Sequence, residues 1–476
     1  MEQPRTGLAA GSVGLTEVVF QSVAAMGPAA TLVSSLPLVM AFAGGAAVSA
    51  CLLALIGLSF VAFSVSQLAK QIPSAGSFAT YASRSIHPGV GFVVGWLYLL
   101  LTLTVSPLLL LILASIMAAV TGAPSLWWLW LVGTLIAVTY VSVRGVRASS
   151  KLNLLLGAVE VLVFAFLSIA LVIKAGSSNT VSVIGLEFAN VSGHEGLQGV
   201  IAGAAYCILA FSGFESAASL AEETRDPRRA IPRAVLGSLF FIAAIEIFGV
   251  YAVTVANGPE NAYEFSQIGG AMGQGWQDLA TTVMPLGAFL VVFAVLNSCI
   301  ANANAGVTNS TRTLFALGRA RVLPELLAVV DARWRSPYVA IILQTVATLL
   351  VALPLGFAFG PSTAFGIVGT EITLAYVLLY LAIHISCYFF YRKRQDRSVL
   401  MHVFIPVAGF LLLLPELFVA SGIQIFSFIQ PVEAPFSFGA LAVLVWIPIG
   451  VIYYAYIFKR RPHLATAMVA GIEEGP

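Results

Sequence analysis

Apolar residues in this chain follow neither the helical nor the strand period; they run together in long blocks. A helix that crosses a bilayer needs about 20 predominantly apolar residues. Twelve such runs can be marked, at approximately 15–40, 44–68, 90–120, 124–143, 152–174, 197–220, 232–256, 279–311, 338–357, 362–390, 401–422 and 438–458. They are continuously apolar, whereas barrel strands would alternate in segments of about ten residues, so helices are expected. The longest polar stretches are 175–196, 257–278 and 221–231. No Gly/Ser linker, low-complexity tract or soluble appendage interrupts the pattern, and 1–476 reads as one transmembrane domain.

Composition agrees with the pattern. The 476 residues are 59% hydrophobic and 9% charged, against roughly 45–50% and about 25% in soluble domains. So few charges cannot cover a water-facing surface, which excludes a soluble globular protein, a collagen, a coiled coil and a disordered chain. A net charge of +2 leaves no basic face for nucleic acid. The partner that the composition requires is a lipid bilayer.

Charge placement orients the spans. Threaded with its N-terminus inside, the chain places 22 of its 23 Lys and Arg residues on the inner side, and only Lys174 lands outside. A missed or extra span would invert every later loop under the positive-inside rule. Both termini are therefore expected to be cytoplasmic, in a prokaryotic cytoplasmic membrane. Residues 1–15 lack the charged head, short apolar stretch and cleavage site of a signal peptide, so the first span is expected to be retained. Asn190-Val191-Ser192 is a glycosylation sequon on the outer side, relevant only in a eukaryotic host.

Enzyme chemistry is not indicated. The five histidines, at 87, 194, 384, 402 and 463, are isolated, and no nucleophile–base motif or Gly-x-x-x-x-Gly-Lys phosphate loop occurs. No cofactor or metal is expected. Cys51, Cys207, Cys299 and Cys387 lie within apolar runs and read as small core hydrophobes with no structural disulfide.

Two runs are interrupted. Span 1 carries Ala25-Met26-Gly27-Pro28-Ala29 in its middle and span 6 carries Phe211-Ser212-Gly213-Phe214. The breaks are five spans apart, so the two broken spans cross in opposite directions. An inverted five-plus-five repeat predicts this, with substrate held between half-helices near the midplane. The alternative is that Gly and Pro are simply commoner in membrane helices.

Pro73-Ser74-Ala75-Gly76-Ser77-Phe78, followed by Tyr81, Gly91, Gly95 and Trp96, resembles the loop between spans 2 and 3 of amino acid–polyamine–organocation permeases. Phe211-Ser212-Gly213-Phe214-Glu215, Glu222-Glu223-Thr224-Arg225-Asp226-Pro227 and Ile231-Pro232-Arg233-Ala234 are similar to that family's span 6 and the loop after it. Arg312, Phe315-Ala316-Leu317-Gly318-Arg319 and Leu323-Pro324 resemble its segment after span 8. The matches lie in order, at family spacing, in a chain whose spans cover nearly its whole length. The resemblance implies an all-α integral membrane protein with the leucine-transporter-like fold: inverted repeats over 15–176 and 197–392, plus peripheral helices 11 and 12 over 401–458. It also implies secondary transport of amino acids or related amines.

A zwitterion in a low-dielectric cavity needs both charges met. The N-terminus of a restarting half-helix offers free N–H groups to a carboxylate, and the C-terminal end of the preceding half offers carbonyls to an ammonium group. Pro28 suits the first turn of the restart, where its missing N–H costs nothing. The substrate site is therefore placed at Ala25, Met26, Gly27, Ala29 and Ala30 with Phe211, Ser212, Gly213 and Phe214. Gln21 and Ser22, one turn earlier, are lesser pocket candidates. Family members usually carry a Gly-x-Gly-type element in the first break, and some polyamine-type branches carry proline near it. Ala-Met-Gly-Pro-Ala has fewer glycines, hence fewer bare N–H groups at close approach.

Acids within spans cost at least about 2.5–3.5 kcal/mol each on insertion scales, so Glu160, Glu215, Glu246, Glu371 and Glu416 each need a reason. The resemblance puts Glu160 where many members have a span 5 lysine that substitutes for a sodium ion between spans 1, 5 and 8. A carboxyl there could carry a proton, coordinate a cation or stay protonated as a structural hydrogen bonder. Glu215, after the second break, is expected to accept hydrogen bonds from loosened backbone, with direct contact to an ammonium group as the alternative. Glu160 and Glu215 are the coupling candidates. Glu246 and Glu371 read as partners of neighbouring polar groups, and Glu416, on peripheral span 11, as structural. Asn297, Ser298, Asn302 and Asn304 of span 8 read as interhelical hydrogen bonders, one or two of which could face a cation site.

These readings predict a secondary active transporter of a small amino acid, coupled to a proton or to sodium, working by alternating access around the two breaks. A polyamine or other amine transporter, or an uncoupled amino acid exchanger, stays open. A channel or a non-transporting sensor are further classes, disfavoured by two breaks that suggest an occluded site.

Overall fold

The computed structural model describes residues 11–74, 76–268, 273–423 and 434–460; Arg5, Ala75, Arg461 and His463 lie outside the described residues. The regular structure of these segments is helical, and among the described residues the one β contact is an isolated bridge between Val13 and Thr224. In chain order the helices are α1 (Leu15–Met26), α2 (Pro28–Ser34), α3 (Leu36–Ala43), α4 (Ala47–Gln71), α5 (Ser77–Ser85), α6 (Pro88–Val120), α7 (Trp127–Val143), α8 (Val146–Ala175) and α9 (Leu197–Phe211). After them come α10 (Pro227–Asn257), α11 (Ala262–Gln267), α12 (Gln274–Thr281), α13 (Gly287–Arg319), α14 (Tyr338–Phe359), α15 (Pro361–Tyr391), α16 (Ile405–Ser421) and α17 (Phe438–Arg460).

Among the described residues, eleven helical segments are long and apolar enough to cross a membrane. Helices suit that environment because each satisfies its own backbone hydrogen bonds where water cannot. The first apolar run, expected over 15–40, is three helices instead of one. Gly27 sits in the left-handed region (φ 58°, ψ 58°), Pro28 starts α2 one residue later, and Ser35 separates α2 from α3. None of the three pieces is long enough to span alone.

A second boundary also moves. The run expected over 279–311 begins as the short helix α12, is interrupted at Pro285, and restarts as α13 at Gly287. Proline cannot continue a helix that precedes it. A β-carbon at Gly287 would lie 2.1 Å from the Ala280 carbonyl oxygen, so the turn is closed around a bare backbone. At its far end α13 continues past the apolar run through Arg312 to Arg319, because its polar residues there are buried by protein and not by lipid.

Helix α6 packs along both α13 and α15, and α1 lies between α8, α10 and α13. Helices α16 and α17 lie outside, α16 on α15 and α4, α17 on α6 and α15. The outer faces of α7, α8, α14 and α17 expose Ile136, Leu162, Ile173, Leu350, Leu444 and Ile452, apolar positions that a bilayer would cover. Trp96 and Trp446 fasten α17 to α6: each indole N–H donates to the other residue's carbonyl, at 3.0 and 2.7 Å.

The end of the bundle where α1 begins is sealed by polar contacts. Val13 N–H donates to the Glu223 carbonyl and Arg225 N–H to the Val13 carbonyl, both at 3.0 Å. Arg312 forks onto both Glu223 carboxylate oxygens at 3.1 Å, with both side chains buried. Arg319 pairs with Glu222 nearby, at 2.8 Å. Inside this lid Gln21 bonds Asn309, Asn153 bonds Gln21, Asn304 bonds Asn153, and Ser219 bonds Asn309, over 2.7–3.3 Å. Removing one member of a buried ion pair strands the other charge, at about 3–5 kcal/mol. Glu223→Ala should therefore lower the thermal melting point of the purified protein by several degrees, whereas Arg321→Ala, in an exposed pair, should not. Equal melting points for the two variants would contradict the sealing role.

Candidate functional site

The two breaks touch. Helix α9 ends at Phe211, Ser212 is extended, and Gly213 (φ 117°) precedes a 3-10 turn over Phe214–Leu220. A β-carbon at Gly213 would lie 2.7 Å from the Ala25 carbonyl carbon and oxygen and 2.9 Å from Met26 N. One at Gly27 would lie 2.6 Å from Asn302 Nδ2. Both glycines thus serve positive φ and close approach together. Ser22 Oγ ties the segments further, donating to the Phe214 carbonyl at 2.9 Å and accepting from Ala217 N–H at 3.1 Å.

Where the freed backbone groups go decides the chemistry. In the first turn of α2, Pro28 has no N–H. Ala29 N–H donates to Glu160 Oε2 at 3.3 Å, Ala30 N–H to Ser298 Oγ at 3.2 Å, and Thr31 N–H to the Gly27 carbonyl at 3.0 Å. Every backbone N–H of this turn is committed. The carbonyls of Ala24, Ala25 and Met26 are in the opposite condition. Their helical partners four residues on would be Pro28, Ala29 and Ala30, none of which is available. At the second break Gly213 N–H turns to Glu215 Oε2 at 3.1 Å, which also accepts from Tyr380 Oη at 3.1 Å. That leaves the Leu209 carbonyl without its ladder partner.

Three fully buried acids gather here. Glu160 is the fifteenth of the thirty residues of α8, midway along it. Glu246 of α10 accepts a very short hydrogen bond from Thr31 Oγ and interacts electrostatically with Glu160. Glu160 Oε1, Glu246 Oε2 and Asn302 Oδ1 are buried and have no hydrogen-bond partner. Among the described residues no group of three or more His, Cys, Asp and Glu side chains is arranged to hold a metal ion.

A cavity of about 40 Å³ lies beside the breaks. Its walls are Ala25 and Met26 of α1, Ala30, Thr31, Ser34 and Ser35 around α2, Val105, Leu108 and Leu109 of α6, Leu209 and Ser212, Asn302 of α13, and Phe365, Ile372 and Tyr376 of α15. It has room for a few waters, less than an amino acid or a diamine needs. No Lys or Arg lines it. A larger recess of about 560 Å³ between α7, α8 and Ile300 is walled almost wholly by apolar side chains on lipid-facing helices.

The residues singled out in the sequence divide accordingly. Ala25, Met26, Ala30 and Ser212 line the cavity; Gly27, Ala29 and Gly213 shape the breaks behind it. Phe211 and Phe214 are fully buried in packing, Phe214 stacked on Tyr380. Gln21 and Ser22 belong to the sealing network. Of the span 8 residues, Asn297 and Asn304 bond α8, Ser298 caps α2, and Asn302 faces the cavity. Glu371 has no hydrogen-bond partner on either carboxyl oxygen; the polar side chain beside it is Thr104, whose hydroxyl donates to the Leu100 and Leu101 carbonyls. The walls from α6 and α15 were not foreseen; they are apolar or aromatic and carry no local motif. Cys51 and Cys207, far apart in sequence, meet with their sulfurs 3.4 Å apart as free thiols.

Since a side chain at Gly213 would press into the Ala25 carbonyl, Gly213→Ala should cut transport at least tenfold. Gly237→Ala, where no atom lies within 4 Å, should leave it unchanged. Uptake rates normalised to membrane abundance check this pair, and an active Gly213→Ala variant would contradict the touching breaks.

A family model described as amino acid permease matches residues 17–466. The chain is 28% identical over 462 residues to the low-affinity putrescine importer PlaP of Escherichia coli (strain K12), covering 94% of each protein. It is 26% identical to the gamma-aminobutyric acid permease of the same organism, over 68% of each. It is 24% identical to the branched-chain amino acid permease BcaP of Bacillus subtilis (strain 168), over 59% of this chain and 61% of that protein. With a match over nearly its whole length, the chain belongs to the amino acid permease family of the amino acid–polyamine–organocation superfamily, and it is an integral membrane transporter and not an enzyme.

Proposed function

We propose that this permease is a proton-coupled secondary transporter of a small organic amine, working by alternating access around the breaks at Gly27 and Ser212–Gly213. The observation that carries the reading is the Glu160 carboxylate on the N-terminus of α2. The centre is thereby short of donors and rich in acceptors: three loosened carbonyls, three buried acids and Asn302 Oδ1. An ammonium group finds partners there, whereas a substrate carboxylate finds no free backbone N–H on the first turn of α2. The 28% identity to a putrescine importer over 94% of both chains is in keeping with a diamine.

In this reading α1–α3 together make one crossing, so that twelve spans cross the membrane, with 15–176 and 197–392 as inverted halves and 401–458 as two peripheral helices. The basic residues place the N-terminus of α1 in the cytoplasm, and the Arg312–Glu223 lid then closes the cytoplasmic side. Glu160 carries the proton. Protonated, it loosens its hold on Ala29; deprotonated, it caps α2 again, so proton and substrate occupancy act on the same half-helix.

A second reading is an amino acid permease in which the substrate's carboxylate displaces Glu160 from α2; the apolar walls of Val105, Leu108 and Ile372 favour a small neutral side chain.

Purified protein in proteoliposomes, in sodium-free buffer with an inward proton gradient, should accumulate labelled putrescine above equilibrium. Glu160→Gln should lose that accumulation and keep counterflow from preloaded vesicles. Unchanged accumulation by Glu160→Gln defeats the coupling role, and wild-type protein that moves neither amines nor amino acids defeats the transport reading for these substrates.

A further inference from the structure

A second cavity, of about 120 Å³, adjoins the central one and has three times its volume. The two share Ser34, Ser35, Leu209 and Phe365 as walls, so these four residues are the partition between them. On the side away from the centre the cavity is closed by α16, which contributes Glu416. Its walls include Leu38 of α3, Gly366 near the start of α15 and Val419 and Ala420 near the end of α16, beyond the end of α2 that is away from the Arg312–Glu223 lid. In the orientation proposed above, it is therefore on the external path to the centre.

Glu416 was expected to be structural, on a peripheral helix. Its environment gives it no structural partner. It is 9% exposed, and among the described residues no basic side chain or hydrogen-bond donor pairs with its carboxyl group. A carboxylate buried beside apolar walls and left unpaired costs several kcal/mol, and such groups in membrane proteins mark solute paths. Here the group faces open volume, with Tyr206, Thr370, Thr373 and Ser35 supplying hydroxyls around the same space. A carboxyl group that ionises against a bound cation, hydroxyl oxygens free to accept because Thr370 and Thr373 donate to the Gly366 and Gly369 carbonyls, and an aromatic ring make a site for an alkylammonium head. A carboxylate or phosphate would be repelled.

We propose that Glu416 anchors the ammonium group of an incoming amine in the cavity between α9, α15 and α16, a staging site separated from the centre by Ser34, Ser35, Leu209 and Phe365. The inference rests on the amine reading above. It gives α16, which adds nothing to the central cavity, a direct part in substrate capture.

The test is putrescine uptake by proteoliposomes bearing wild-type, Glu416→Gln or Glu416→Asp protein. Glu416→Gln should raise KM about tenfold or more, with kcat within twofold, because the charge acts on capture and not on the translocation step. Glu416→Asp keeps the charge and should stay within about threefold of wild-type KM. A wild-type KM in Glu416→Gln, with putrescine still transported, overturns the staging site and leaves the amine reading standing. Equal losses in Glu416→Gln and Glu416→Asp overturn it as well, since they would mark a packing role. Wild-type protein inert to putrescine removes the reading and the staging site together. If Glu416→Gln does not accumulate in the membrane, Thr373→Cys serves in its place. Putrescine should slow modification of that thiol by a cationic thiosulfonate at least threefold, and absence of protection overturns the proposal.

Discussion

Breaking a helix inside a membrane releases backbone groups that water cannot reach, and each must find a partner or cost several kcal/mol. The centre of this permease is arranged around that requirement. Two breaks are pressed together at Gly213 and Ala25, and side chains from α8, α13 and the second break supply the missing partners. The supply is lopsided. Glu160, Ser298 and Glu215 take up the freed donors at Ala29, Ala30 and Gly213, while the carbonyls on the other side of each break receive no such partners.

In the amine reading proposed above, that imbalance is the source of selectivity. A protein that satisfied both sides would have an inert kink; one that left both open would suit a zwitterion. Satisfying only the backbone donors leaves carbonyl and carboxyl oxygens beside a pocket with no Lys or Arg on its wall, the arrangement on which the proposed amine reading rests. The same carboxyl that caps α2 keeps its second oxygen unpartnered, so protonation of one group can change the capping of the half-helix. Coupling by this route needs no separate ion site. The neighbouring Glu246 is held to the same half-helix through Thr31.

Much of the architecture was legible in the chain. Long apolar runs announce spanning helices whatever they pack against, and Gly27-Pro28 and Ser212-Gly213 announce breaks because proline and glycine act locally. The motif residues Glu223 and Arg312 were quoted as a resemblance, and the structure shows their physical basis in a buried two-pronged ion pair. Other features depend on which way a helix face turns, and apolar runs hide that. Leu108, Phe365, Ile372 and Tyr376 look like any other membrane-helix residues until the bundle forms. The capping of α2 by Glu160 joins residues 131 apart, so the break looked open to a substrate carboxylate in the sequence and is occupied in the fold. Glu416 is hard to read for a related reason: position on a peripheral helix says little about the space that its side chain meets, which in this fold is a cavity.

The central claim is that donor-poor geometry selects amines over carboxylates, and binding of a matched series tests it most directly. Putrescine, butylamine and 4-aminobutyrate share a four-carbon chain and one ammonium group and differ at the other end. Equilibrium binding of each to the purified wild-type protein in detergent should rank putrescine and butylamine at least tenfold tighter than 4-aminobutyrate. Tighter binding of 4-aminobutyrate, or of a neutral amino acid such as alanine, would contradict the account and show that the substrate's carboxylate takes the place of Glu160.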